Sequence, residues 1–140
     1  GKEPHPLCPE RTEKETEQSM SISKKVREQV YQKYNGHCGY CGKDIAIKEM
    51  QVDHMIPKCS GRIDIDALDN LMPSCRRCNH YKRGDTVHGF RLIMQGLHER
   101  ISSQYISKVA IDFGMLQIKP FDCLFYFEKV SQNNQPYATP

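Results

Sequence analysis

Two pairs of cysteines, each with two residues between its members, are the strongest chemical signal in the sequence. Cys38 and Cys41 stand in CGYCG, and Cys75 and Cys78 stand in CRRC. A disulfide framework would more often use an even number of cysteines at wider spacings, whereas this chain has seven. A thioredoxin-like redox centre would need only one such pair beside a βαβ pattern, which is not visible here. Two pairs in one short domain predict a zinc ion bound by four thiolates.

The polar residues between and just after these pairs are the next candidates for chemistry. Four thiolates fill the tetrahedral coordination sphere of zinc, so the predicted ion is structural and has no open position for water or a substrate. Catalysis would then need a second site. The side chains available for it are those of Asp53, His54, Asn70, Asn79 and His80. His80 is interpreted as a surface residue, because its side chain should point away from that of Asn79.

The order of these motifs resembles the HNH endonucleases, a branch of the ββα-metal nucleases. The segments that carry the resemblance are CGYCG (38–42), VDHMIP (52–57), SG (60–61), DNLMPSCRRCN (69–79) and Lys82. The match is close over residues 22–84, and the remainder is similar to the C-terminal extension of small HNH proteins of bacteria and phages. One departure is Arg62, which stands where the family often has a second glycine.

The resemblance implies an α+β fold. Its core would be a ββα-metal, treble-clef-like unit stapled by the four-cysteine zinc site. One helix would precede this core, and a helical extension with a final short strand would follow it.

The resemblance also implies a role for each candidate residue. His54 would be the general base that takes a proton from the attacking water, and the unperturbed pKa of histidine, about 6.5, suits this task. Asp53 and Asn79 would ligate a catalytic divalent metal, and oxygen ligands suit Mg²⁺ or Mn²⁺ better than zinc. That metal would stabilise the scissile phosphate and the leaving 3′ oxygen. Asn70 would brace the loop and orient the histidine.

A short basic cluster surrounds the second cysteine pair. Its members are Arg76, Arg77, Lys82 and Arg83. A zinc ion held by four thiolates has a formal charge of −2, so part of this charge balances the metal site, and the rest is available for DNA phosphates. The net charge of the chain, +3 from 20 basic and 17 acidic residues, is too small to indicate a nucleic-acid partner by itself.

Hydrophobic periodicity divides the chain into segments. Ile22, Val26, Val30 and Tyr34 recur every four residues and predict a helix over 22–35. The other predicted elements are a strand at 50–56, a helix from the second cysteine pair to Arg83, two helical pieces beyond Gly84 that separate near Ser102, and a strand at 123–130. The predicted organisation is a flexible tail (1–20), the HNH core (21–84), a C-terminal extension packed on the core (85–130) and a disordered tail (131–140).

Length and composition limit the function classes. The chain has 140 residues, 38% of them hydrophobic and 26% charged, which is typical of one globular domain. No apolar run approaches the roughly 18 residues of a membrane span, so we expect no membrane partner and a cytoplasmic location in a bacterial cell or a phage-infected host. DNA is the expected partner. One active site cuts one strand, so double-strand cleavage would need a homodimer or two binding events.

Two other functions stay open at this point. The chain could be a zinc-stapled nucleic-acid-binding module without catalysis, or a protein-interaction domain that uses its C-terminal extension. A pure binding module has no need of the set Asp53, His54 and Asn79, which favours the endonuclease.

Overall fold

The structure, a computed structural model, describes residues 22–133. The tail predicted at 1–20 and the part of the C-terminal tail beyond residue 133 lie outside the described residues. In chain order the elements are α1 (Lys24–Gln32), β1 (Gln51–His54), β2 (Leu71–Ser74), α2 (Arg76–Lys82), α3 (Val87–Ser102), α4 (Tyr105–Asp112) and α5 (Tyr126–Asn133). Of the helices in this range, none combines the length and the apolar character that a membrane span needs.

Strands β1 and β2 and helix α2 form the centre of the molecule. The strands pair antiparallel, with Asp53 opposite Met72 and His54 opposite Leu71. Helix α2 follows β2 after one residue, Cys75, and packs against β1. All four residues of β2 are buried, so both faces of this strand are covered by other parts of the chain. This ββα arrangement confirms the predicted fold class.

Helix α1 fastens the chain that leads into β1. Ser23 begins the helix by accepting a hydrogen bond from the Val26 amide at 3.2 Å, and Val30 is buried against the core. The guanidinium of Arg27 donates to the carbonyls of Ile47 and Met50. The helix ends at Gln32, earlier than the predicted residue 35.

The last element is a helix, so the predicted strand at 123–130 is wrong. The amides of Tyr126 and Phe127 donate to the carbonyls of Tyr40 and Gly39 at 3.0 and 2.8 Å. A helix N-terminus leaves amides without intrahelical partners, and here the first cysteine loop supplies the acceptors. The carboxylate of Glu128 accepts a further hydrogen bond at this helix N-terminus, from the Phe125 amide at 3.0 Å.

The helix also continues beyond the predicted boundary of the C-terminal tail. Residues 131–133 belong to α5, so the disorder predicted from residue 131 is wrong for these three positions. Phe125, the residue just before α5, anchors this helix to the core. Phe125 is buried with Phe90 of α3 and Tyr40 of the first cysteine loop.

Candidate active site and metal centre

The four cysteines of the two pairs meet in one cluster. Cys38 and Cys41 come from the loop between α1 and β1, whereas Cys75 caps α2 and Cys78 lies in its first turn. All four sulfur atoms lie within 4.8 Å of one another, and the sulfurs of Cys41 and Cys75 are 3.9 Å apart. Sulfurs bound tetrahedrally to zinc at about 2.3 Å would be separated by about 3.8 Å. The cluster can therefore hold a zinc ion.

Local hydrogen bonds and charge also suit a cation at this place. The Cys75 amide donates to Cys38 Sγ at 3.3 Å, and the Cys78 amide donates to Cys75 Sγ at 3.4 Å. Hydrogen bonds from Cys41 and Cys78 lower the pKa of the Cys38 thiol, while the same crowding raises the pKa of Cys41 and of Cys78. Four sulfurs this close cannot all ionise unless a positive ion lies between them.

Asp53 occupies the buried face of β1 and has two protein partners. The Lys82 ammonium is 3.2 Å from Oδ1 and 3.1 Å from Oδ2. The hydroxyl of Tyr40, a residue between the first two cysteines, donates to Oδ2 at 2.5 Å. Burial raises the pKa of Asp53, although Lys82 and Tyr40 act in the opposite direction. Each oxygen of an ionised carboxylate can accept more than one bond. A role of Asp53 as a metal ligand stays a prediction.

The prediction that Lys82 contacts DNA is wrong. Lys82 is only 1% exposed. Besides its contact with Asp53, its ammonium donates to the carbonyl oxygens of His54 at 3.0 Å and Asp85 at 2.6 Å. A buried ammonium with these partners cannot also reach a phosphate of a DNA strand. The other three members of the basic cluster, Arg76, Arg77 and Arg83, are exposed.

His54 ends β1, and its ring is held by an acidic side chain. Nε2 of His54 lies 2.7 Å from Oδ1 of Asp66, and the His54 side chain is only 10% exposed. Sequence reasoning missed Asp66. It lies in a loop that also contains Asp64 and Asp69, and no local spacing separates it from these other carboxylates.

Asn70 closes the loop that carries Asp66. Its Oδ1 accepts from the Ile56 amide at 2.8 Å. Its Nδ2 donates to the carbonyls of Ile56 at 3.1 Å and Ile65 at 2.8 Å. These three bonds tie the start of the loop to its end beside His54. An effect of Asn70 on the orientation of the imidazole stays a prediction.

Asn79 lies on α2, three residues before Lys82. Side chains three residues apart share one face of a helix, and the Lys82 side chain reaches β1. Asn79 therefore lies on the face of α2 that is turned toward the end of β1, and it is half-buried. Lys82 contacts the Asp53 carboxylate and the backbone carbonyl of His54, and Asn79 lies on the neighbouring helix face.

The chain is similar to known proteins over part of its length. Residues 38–84 match the family model described as HNH endonuclease. The chain is 36% identical over 56 residues to the CRISPR-associated endonuclease Cas9 of Corynebacterium diphtheriae, which covers 40% of this chain and 5% of that protein. The solved Type II-C Cas9 enzyme from Actinomyces naeslundii has 25% identity and a TM-score of 0.43, over 56% of this chain and 9% of that one. The chain thus spans only a small fraction of the length of these relatives.

Proposed function

We propose that this chain is a metal-dependent DNA endonuclease that hydrolyses phosphodiester bonds, because residues 38–84 match the family model described as HNH endonuclease. The observation that supports this most directly is the end of β1. There a carboxylate and an imidazole follow each other in sequence, and each is held by a charged side chain from another part of the chain. Such a pair is suited to metal-assisted activation of water.

His54 is the general base in this proposal. Its Nε2–H donates a hydrogen bond to the Asp66 carboxylate, so the neutral ring carries its free lone pair on Nδ1. Nδ1 takes the proton from the water that attacks the phosphorus atom. The carboxylate of Asp66 then stabilises the imidazolium that forms. Asn70 keeps the loop of Asp66 in place through its three hydrogen bonds.

Asp53 and Asn79 are the residues that would hold Mg²⁺ or Mn²⁺. One carboxylate oxygen and one amide oxygen, completed by water molecules, suit a small hard cation. When bound, that cation would stabilise the negative charge that develops on the phosphate and on the leaving 3′ oxygen. Lys82 and Tyr40 fix the orientation of the Asp53 carboxylate before a metal arrives.

The zinc ion has a structural role in this scheme. Its four thiolate ligands fasten the start of α2 to the loop before β1, so the helix with Asn79 stays against the strand with Asp53. Arg76, Arg77 and Arg83 lie on the exposed side of this unit and would contact DNA phosphates.

A plasmid assay with one matched variant tests the proposal. Purified full-length chain is incubated with supercoiled plasmid and either Mg²⁺ or Mn²⁺. The His54→Ala variant should cleave at least about 10²-fold more slowly, because general-base contributions are typically 10²–10⁴-fold. Its zinc content and DNA affinity should match the wild type, since His54 is not proposed to bind either metal. Wild-type cleavage by a folded His54→Ala protein would contradict the mechanism.

The form of the cleaved plasmid also shows whether the protein cuts one or both DNA strands. A nicked product would mean that one site acts alone, and a linear product would support a homodimer or two binding events.

A nucleic-acid-binding module without catalysis is the second candidate. The observation that favours it is the pairing of Asp53 with Lys82 and Tyr40, which already balances the charge of the proposed metal ligand. In this case the wild type would bind DNA and leave plasmid intact with either metal.

A further inference from the structure

A cleft lies between the end of α2 and the side of α3. Its volume is about 540 Å³. The exposed basic residues that line it are His80, Arg83 and Arg100. Helices α2 and α3 pack against each other. Because Arg100 lies beyond the residues that match the HNH family model, the cleft combines the core with the C-terminal extension.

The two arginines of this cleft carry charge that the described part of the chain does not neutralise. Between residues 22 and 133, no carboxylate forms an ion pair with Arg83 or Arg100. Asp85 also lines the cleft, but its Oδ1 accepts from the Thr86 amide at 2.7 Å and lies against Gly89 in the first turn of α3. The acidic group is thus directed toward the N-terminus of α3, which attracts negative charge.

Arg83 has a backbone conformation that is unfavourable for a residue with a side chain. Its φ angle is +56°, in the left-handed region that favours glycine, and the next residue is Gly84. The position directly after a helix is often filled by glycine for this reason. An arginine held there is strained, and strain of this kind is concentrated at positions that bind a ligand. This backbone observation is independent of the charge argument.

We propose that His80, Arg83 and Arg100 form a phosphate subsite for the backbone of the DNA substrate. The inference rests on the proposed function, in which Asn79 helps to hold the metal at the scissile phosphate. Lys82, which contacts Asp53, also lines the cleft, so a strand that passes the end of β1 can reach it. The C-terminal end of a helix repels anions, so the arginines must supply the attraction. Their planar guanidinium groups match phosphate oxygens in a fork geometry.

The test measures binding of the full chain to a short fluorescent DNA duplex over a series of salt concentrations, without added Mg²⁺ or Mn²⁺. Arg100→Gln should weaken binding and lower the slope of log affinity against log salt by about 0.9, the change for one lost phosphate contact. Arg100→Lys should keep the slope, because it keeps the charge. The matched control is Lys108→Gln on α4, an exposed residue outside the cleft, which should leave the slope unchanged. A wild-type slope for Arg100→Gln would overturn the proposal.

Arg83→Gly provides a second test that separates binding from folding. Glycine relaxes the left-handed backbone, so the melting temperature should stay the same or rise while the salt slope falls by about 0.9. A lower melting temperature with an unchanged slope would mean that Arg83 is structural, and the subsite would be refuted.

The endonuclease and the phosphate subsite can be refuted separately. A wild type that binds with these slopes and never cleaves plasmid would refute the endonuclease but keep the subsite. A wild type that cleaves, with Arg100→Gln equal to it in binding, would refute the subsite but keep the endonuclease.

Discussion

At the scale of single residues, His54 depends on a carboxylate from a loop 12 positions along the chain. Asp66→Asn keeps the size of the side chain but removes its charge. Cleavage should fall roughly 10²–10⁴-fold, because the imidazolium loses its charged partner and the neutral ring is no longer held in the tautomer that leaves Nδ1 free. The measurement is the rate of plasmid cleavage at saturating protein.

Asp64→Asn is the matched control for this prediction. Asp64 belongs to the same loop, but its carboxylate binds Arg62 rather than His54. It should cleave at nearly the wild-type rate, and DNA affinity should be unchanged in both variants. Equal rates for the two variants would show that Asp66 acts only as a loop residue.

Lys82 and Asp53 form a buried ion pair, and its loss should be costly. Lys82→Met keeps the length of the side chain but leaves the Asp53 carboxylate buried without its counter-charge. Removing one partner of a buried pair typically lowers the free energy of unfolding by about 3–5 kcal/mol. Urea unfolding should detect this loss. The double variant Lys82→Met with Asp53→Asn should recover much of it, because no buried charge remains, and failure to recover would mean that Lys82 acts mainly by packing.

At the scale of elements, α2 depends on the metal cluster at its first residue. Cys75 is buried at the N-cap of the helix, and Cys75→Ser removes a predicted zinc ligand while serine can still cap the helix. We expect loss of about one zinc per chain by elemental analysis and a melting curve without the cooperative step of the core, because metal-binding energy here is folding energy. Cys123→Ser changes an exposed cysteine outside the cluster and should keep both zinc and stability.

Local sequence signals were sufficient for the elements that carry the site. The four-residue spacing of Val26 and Val30 indicated α1, and the two cysteine pairs indicated the cluster. Local sequence signals did not predict the secondary structure of segments whose conformation depends on tertiary contacts. Aromatic residues at 125–127 favoured a strand, but the carbonyls of Gly39 and Tyr40 supply acceptors for the start of a helix, and these acceptors come from a distant part of the chain.

The same limit applies to the site residues. The cysteines are predictable from their spacing along the chain, whereas the roles of Asp53 and His54 follow from the resemblance to the HNH endonucleases. The Asp66 contact was not predictable, because a loop of 16 residues between paired strands can fold in many ways. Lys82 was assigned to DNA as a member of the basic cluster, because its partner Asp53 is 29 positions away and no local signal marks the pair.

At the scale of the whole molecule, Tyr40 connects three parts of the fold. It lies between two cysteines of the metal cluster, and its hydroxyl donates to Asp53. Its ring makes edge contacts with Phe90 of α3 and Phe125 beside α5, each with a centroid distance of 5.2 Å. The C-terminal extension therefore encloses the residue that orients the proposed metal ligand.

The last prediction tests whether the extension supports the core in this way. Phe125 is 2% exposed and stacks on Phe90 at 5.0 Å, whereas Phe113 is 79% exposed. Phe125→Ala should lower the free energy of unfolding by about 3–5 kcal/mol, because it removes a buried ring and leaves a cavity beside Tyr40. Phe113→Ala deletes the same atoms from the surface and should change stability by less than about 0.5 kcal/mol. Urea unfolding gives both values, and equal small losses would mean that the extension is only appended to the core.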